Sequence, residues 1–549
     1  MQKKRSKKRS MTTLLLCALA CAFSVLVFGP LEQFMLNQGD LWFNLKDIAP
    51  LSAVFFLAAA AALTAVGLVL PARARRVYTA LVLGLTLCWY LQGNFINAEY
   101  GELDGRRIHW ENYTGYAVWN TAFWVLIPGA LIVFALKKPK AFRTAARMAA
   151  VALVLIQAVT LISVFLTTPV QKKDTDWIVS DRGQFTLGEG QNTVIFVVDA
   201  CDSTYLPCMQ AEDPEALSAL DGFTYFSDYA GSYSKTKMGL PYILTQHWYE
   251  NDQTITDYLQ HTYDDVPLYN DLRAAGWGLR IYTSETYVSD SLIGVADNVI
   301  AAQMTVSSGS RLFGKMMQFV SFRYLPHLLK PLAVFYSGDF GFYKAAKGAD
   351  QPYFKDNLLY REKLEKEGLS LQPGNYLTVY HINGSHLPCN LNAQGQYVGP
   401  WKATALEQTE GVFRTILTPY LEQMKALGVY DSANIIITAD HGRFDEGPVS
   451  PLMLLKPAGA HGEIQGNAAM ASVSDLHATL RKLCGLEAAG EAIYEIPEGE
   501  ERVRRYLYYP TTKSNCGTLP ALTEYRVERG QDFVPTGVVL SGGKENITH

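Results

Sequence analysis

Apolar residues in the first third of the chain come in long unbroken runs, whereas the remainder alternates short apolar stretches with polar ones. Five of the runs, at residues 11–29, 51–70, 77–96, 116–136 and 148–166, approach the roughly 20 residues that a helix rising about 1.5 Å per residue needs to cross hydrocarbon. The basic stretch MQKKRSKKRS before the first run also suits a cleavable signal peptide. Four further runs follow it, so the first is read as a span. Lys and Arg are retained on the cytoplasmic side of a membrane. With five crossings the N-terminal cluster, the Arg73, Arg75 and Arg76 loop, and the loop carrying Lys137, Lys138, Lys140, Arg143 and Arg147 fall on the same side. The expectation is a multi-pass cell-membrane protein with a cytoplasmic N-terminus and an extracytoplasmic C-terminal part.

Residues 1–170 thus form a transmembrane region, followed by a polar linker at 171–190. Beyond it the period changes. The run TVIFVV at 193–198 is β-branched and apolar throughout, as a parallel strand buried on both faces requires, and it ends in Asp199. A helix in YNDLRAAGWG leads into the strand LRIYTS, and NYLTVYHI forms another strand. A helix at 406–427 stops near Gly428 and leads into a strand at 435–438, just before Asp440. Alternating helices and apolar strands define an α/β domain, residues 191–490, with a mostly parallel central sheet. Residues 491–549 read as a β-rich extension of that domain, with RYLYY, LTEYRV and TGVVLSG as short antiparallel strands added to an edge. Sites in such sheets gather at the carboxyl ends of strands. Asp199, His381 and the Asp440–His441 pair all stand there, so distant polar groups converge on one rim.

Composition adds less. At 549 residues the chain needs more than one structural unit, and a 49% hydrophobic content reflects the long runs. The formal net charge of −4, with basic residues clustered beside apolar runs, gives no reason to propose nucleic acid as a partner. Of eight Cys, five (Cys201, Cys208, Cys389, Cys484, Cys516) lie in the outer domain. An odd number cannot pair completely; Cys201 with Cys208 is one pairing, free buried thiols the alternative.

The most informative hexapeptide is ITADHG, ending at Gly442. A carboxylate and an imidazole adjacent at a strand end can both ligate one divalent cation, and glycine lets the backbone turn sharply. This segment, together with NTVIFVVDACDST, SYSKTKMGLPYILT and YHINGSHLPC, occurs in the order seen in the alkaline phosphatase and sulfatase superfamily. Five spans followed by an outer domain resemble its lipoteichoic acid synthase and phosphoethanolamine transferase branches. The resemblance implies a sulfatase-like catalytic domain with a metal site built from Asp199, Thr236, Asp440 and His441. It also implies Thr236 as nucleophile and His386 near the substrate phosphate. A threonine hydroxyl is a weak nucleophile that a divalent cation activates; alternatively Thr236 only caps the following helix, and Ser234 is the second candidate. His381 and Lys235 are candidates for substrate binding, His381 alternatively being a satisfied strand-end histidine and Lys235, like Lys237, a solvated lysine. The outer domain lacks the Cys-x-Pro-x-Arg sequence that true sulfatases of this resemblance carry. After His441 the stretch RFDEGPVSPLML holds no further histidine, where the phosphoethanolamine transferases have one.

The expected activity is transfer of a phospholipid-derived phospho-head group, of phosphoglycerol or phosphoethanolamine type, to an envelope glycan or glycolipid through a phosphothreonine. A divalent metal, manganese or zinc, is the expected cofactor, with a membrane lipid as donor. Two alternatives stand beside it: a phosphodiesterase or phosphatase using water as acceptor, and a catalytically silent membrane protein that binds envelope polymers. Nothing in the sequence specifies an oligomeric state.

Overall fold

The computed structural model describes residues 2–101, 103, 107–170, 176–443, 447–510 and 518–542. The chain forms two compact units: residues 1–174 with 305–345, and residues 175–304 with 346–549. Residues 305–345, expected in the outer domain, therefore belong to the first unit. The expected linker contains two short strands, Trp177–Val179 and Thr186–Gly188; its residues 171–175 lie outside the described ones.

The first unit is helical. Helices α1 (Gln2–Phe23) and α2 (Gly29–Leu36) run together through a wide π turn at Ser24–Phe28. The Ser24 hydroxyl there donates to the Ala20 carbonyl at 2.8 Å and lies 2.9 Å from the Gln157 side-chain oxygen. Helices α3 (Leu45–Val69), α4 (Ala72–Phe95), α5 (Thr114–Lys137) and α6 (Pro139–Thr167) follow. Among the described residues four stretches, Arg9–Leu36, Leu45–Val69, Trp110–Lys137 and Pro139–Thr167, are long and apolar enough to cross a membrane. The third expected span forms as α4, but falls outside that group. Thr79, Thr86, Trp89, Tyr90 and Gln92 dilute its apolar run, and several of them face neighbouring helices. The Gln92 side-chain oxygen, for example, accepts from Asn120 at 2.6 Å and Trp124 at 3.1 Å.

The second unit is built on a seven-stranded sheet. Its strands are β1 (Asn192–Val198), β2 (Thr224–Phe226), β3 (Trp277–Tyr282), β4 (Asn375–Ile382), β5 (Asn434–Thr438), β6 (Met453–Lys456) and β7 (Gln465–Asn467), in the order β7-β2-β6-β5-β1-β4-β3. Only β6 runs against the rest, paired antiparallel with β5 and β2. Central β1 is buried at all seven positions, which explains the β-branched and aromatic run at 193–198 that follows Asn192. Register puts Val197 level with His381 on one side and Thr438 on the other. Asp199, His381 and Asp440 thus leave three adjacent strands at the same edge.

The C-terminal strands β8 (Arg504–Tyr508), β9 (Leu522–Glu528) and β10 (Asp532–Leu540) are antiparallel, as expected, but form a separate three-stranded sheet rather than extending an edge. That sheet grips the loop before Thr236: Leu507 N donates to Ser232 O at 2.8 Å, and Tyr509 N to the Ser234 hydroxyl at 3.2 Å. Its attachment includes a buried ion pair, Arg504 to Asp228 at 2.9 Å, with both side chains at most 6% exposed. Cys201, Cys208, Cys389 and Cys484 are free thiols, and Cys516 lies outside the described residues.

Removing one partner of a buried pair strands the other charge. Arg504→Met is therefore expected to lower stability by about 3–5 kcal/mol, read by denaturant unfolding of the full chain. An unchanged midpoint would show that this pair does not hold the C-terminal sheet.

Candidate metal centre and active site

Three turns bring the charged groups together. After β1 the chain turns at Ala200, whose φ of 59° lies in the left-handed region disfavoured for residues with a Cβ. Its N–H donates to the Asp440 Oδ1 at 3.2 Å, tying the end of β1 to the end of β5. Gly384, at φ 54°, passes so close to β1 that a Cβ would meet the Asp199 nitrogen at 2.7 Å. Helix α7 (Thr236–Thr245) approaches from the other side. A Cβ on its Gly239 would stand 2.3 Å from the Asp440 carbonyl oxygen, so only glycine permits that contact.

Thr236 is the first residue of α7 and its hydroxyl does not cap the helix, whose N-cap is Lys235. The hydroxyl oxygen instead lies 3.3 Å from His441 Nε2. The same nitrogen is 3.6 Å from Asp199 Oδ1 and 3.6 Å from Asp440 Oδ2. Both oxygens are buried and have no hydrogen-bond partner among the described residues. Ser234 is tied to the Tyr509 backbone, accepting from its N–H and donating to its carbonyl at 3.1 Å, and so is poorly placed as a nucleophile.

His381 is fully buried, with Nε2 3.3 Å from Asp199 Oδ2 and Nδ1 2.9 Å from the Thr283 hydroxyl. Burial, reinforced by Lys355, pushes its pKa down and favours the neutral ring. Its place is behind Asp199, suited to orienting that carboxylate or to joining it and Asp440 as a third ligand rather than to touching substrate. His386 is close enough for Asp199, Lys355 and His441 to act on its charge, and burial likewise holds its pKa down. Lys235 lines a small pocket with Ser234, Gly442, Arg443 and Tyr508.

Two further groups carry no motif of their own. Lys355 places its ammonium 2.5 Å from Asp199 Oδ2. Burial alone would raise the Asp199 pKa, but Lys355, His386 and His381 together outweigh it and hold the carboxylate well below its usual range. Lys355 follows no motif; it lies between Tyr353, whose hydroxyl donates to His381 O at 2.8 Å, and Asp356, which caps the next helix. The second is Asp202, a buried residue that accepts from the Arg443 guanidinium at 3.1 Å and its backbone N–H at 3.3 Å.

The donor set fits a divalent cation. Tetrahedral ligands at about 2.0–2.2 Å from a metal stand about 3.3–3.6 Å from one another, the spacing of the Thr236, Asp199 and Asp440 oxygens from His441 Nε2. One nitrogen with oxygen donors accepts either manganese or zinc.

No family model matches the sequence, and no curated protein matches it. Among solved structures, the chain is similar to the lipoteichoic acid synthase LtaP from Listeria monocytogenes (13% identity, TM-score 0.33, covering 64% of this chain and 87% of that one). It is similar also to a phosphonate monoester hydrolase from Silicibacter pomeroyi (14%, 0.36, 63% and 88%) and to the PsFucS1 sulfatase from Pseudoalteromonas sp. (13%, 0.38, 63% and 82%). At these identities and scores nothing about substrate or reaction passes from those proteins to this chain.

A ligand that binds only the folded state stabilises it, by about 2.7 kcal/mol at a hundred times its Kd. Manganese or zinc added to chelator-treated protein should therefore raise its Tm, and should do so far less in Asp440→Asn. Equal shifts in both proteins would place metal binding elsewhere.

Proposed function

We propose that the chain is a membrane-anchored phosphotransferase that moves a phosphoglycerol- or phosphoethanolamine-type head group from a membrane phospholipid to a hydroxyl of an envelope glycan or glycolipid. The observation that supports it is the Thr236 hydroxyl facing one imidazole and two buried, half-satisfied carboxylates. Asp199, Asp440, His441 and Thr236 would hold the cation, which when bound lowers the free-energy requirement for ionising the threonine hydroxyl.

Thr236 Oγ attacks the phosphorus of the donor diester. A P–O bond to threonine forms, the P–O bond to the diacylglycerol oxygen breaks, and His386, neutral at rest, takes the Thr236 hydroxyl proton and passes it to the leaving oxygen. The acceptor hydroxyl then attacks the phosphothreonine, losing its proton to His386, which returns it to the Thr236 oxygen as the P–O bond to threonine breaks. The partly exposed Lys355 ammonium and the N-terminus of α7 place positive potential beside the phosphoryl oxygens. Charge stabilisation already in position before reaction is the main source of rate in such chemistry. Five crossings, α4 included, put the N-terminus in the cytoplasm and the site outside it, where envelope acceptors are found.

Incubating the full-length protein with phospholipid labelled in the head group tests this. Label should reach a glycolipid acceptor, and an adduct on Thr236 should appear by mass spectrometry, its mass naming the group. Thr236→Ala should lose the adduct and about 10³-fold or more in turnover. Lys355→Met should lose about 10²–10³-fold, as removal of a charge-stabilising donor does. Label reaching only water would favour the hydrolase; full turnover in Thr236→Ala would remove the nucleophile.

A further inference from the structure

The segment 305–345 leaves the α/β unit and folds into the helical one. Its insertion helix, Gly309–Tyr324, buries Leu312, Phe313, Met316 and Val320 in a cluster with Phe28, Phe34 and Ile48 of the apolar helices. Phe313 stacks on Phe55 at 5.3 Å, and Tyr324 on Trp89 at 5.3 Å. Tyr324 also donates to Glu32. Two glycines make room: a Cβ on Gly29 would meet Val320 at 2.8 Å, and one on Gly93 would meet the Tyr324 ring at 2.3 Å.

These contacts share one end of the helix bundle. Glu32 and Trp42 lie between α1 and α3, Trp89 and Gly93 at the end of α4, and Asn120 near the start of α5. The end of α6 is there too, with Gln38 donating to Pro169 O at 3.1 Å. The basic loops, 71–76 and 137–147, occupy the opposite ends of the same helices. This end also carries the aromatic residues expected where a span meets the head-group layer: Tyr100, Trp110, Tyr113 and Tyr116 surround His327 at centroid distances of 5.4–5.9 Å.

The insertion helix is succeeded by the short helix His327–Ala333, HLLKPLA. His327 N donates to Asn120 Oδ1 at 2.8 Å and its ring pairs with the Tyr100 hydroxyl at 2.8 Å, fixing the segment to α5. The only lysine in that segment, Lys330, is fully buried and donates to the Phe322 carbonyl and, at 2.9 Å, to the Arg323 carbonyl. Leu328, Leu329 and Leu332 point the other way and are 60%, 44% and 82% exposed. A lysine turned inward and three leucines turned outward invert the usual arrangement of a helix facing water.

We propose that this leucine face is a membrane-insertion surface, which dips into the acyl chains at the head-group boundary of the leaflet opposite the basic loops. Its occupant is phospholipid rather than a protein, because the segment is fixed to α5, a helix long and apolar enough to cross a membrane, and its first residue sits among aromatics of the kind found at the head-group layer. It uses the membrane placement of the spans and nothing of the transfer reaction.

The test reads no turnover. An environment-sensitive fluorophore is placed at Leu332→Cys, or at Val159→Cys on the exposed face of α6 (64% exposed). The full-length protein is reconstituted in phosphatidylglycerol and phosphatidylethanolamine bilayers, with wild-type protein labelled in parallel to subtract native cysteines. Phospholipids brominated near the head group should quench the residue 332 probe at least twofold, and more than those brominated near the chain end. Quenching at 159 without quenching at 332 overturns the insertion surface while leaving the spans in the bilayer. A blue-shifted but unquenched probe at 332 means that protein covers the leucines, and also overturns it. Quenching at neither position overturns both the surface and the membrane reading.

Discussion

Asp199 and Asp440 are buried side by side, and each keeps one oxygen without a hydrogen-bond partner among the described residues. Both oxygens face the same imidazole nitrogen, at 3.6 Å. Two carboxylates taken out of water are tolerated only with compensating positive charge. Lys355 supplies part of it at the outer oxygen of Asp199. A divalent cation between the inward oxygens would supply the rest, and the Thr236 hydroxyl, 3.3 Å from the same imidazole nitrogen, borders that gap.

Much of the second unit's architecture serves that geometry. Parallel strands β4, β1 and β5 deliver His381, Asp199 and Asp440 to one edge because their register is level to within a residue. The crossing between β5 and α7 is set by a glycine that no larger residue replaces without moving the helix. The strained Ala200 locks the two aspartate turns to each other through its N–H. From more than 260 positions further along the chain, the C-terminal sheet fixes the backbone before Thr236. The Thr236 hydroxyl at a helix start is thus held from three directions by elements distant in sequence, which is how a hydroxyl and a charged cluster keep their spacing.

The parts of this arrangement that were legible in the sequence are those written in local pattern. The central strands show as apolar runs leading to Asp or His, because a strand buried on both faces has no polar alternation and the sheet rim starts where the run stops. Thr236 was legible only through resemblance; its neighbour Ser234 has the same chemistry, and the difference between them is a backbone contact to Tyr509 made 275 residues away. Lys355 was illegible, since an exposed-looking lysine before a helix cap carries no mark of the carboxylate it meets. Segment 305–345 was illegible for a related reason: a 16-residue amphipathic helix reads alike whether its apolar face covers a sheet or a bundle of spans. Helix α4 shows the converse, its polar residues serving contacts inside the bundle and so weakening its membrane signal.

The central claim is that four residues spread over 243 positions enclose one divalent cation. Anomalous X-ray diffraction from crystals grown with manganese or zinc measures this directly. The account predicts a peak bonded to Asp199, Thr236, Asp440 and His441, at about 2.0–2.2 Å from each donor. A metal peak held by other residues, with these four donors apart and unshared, would contradict it.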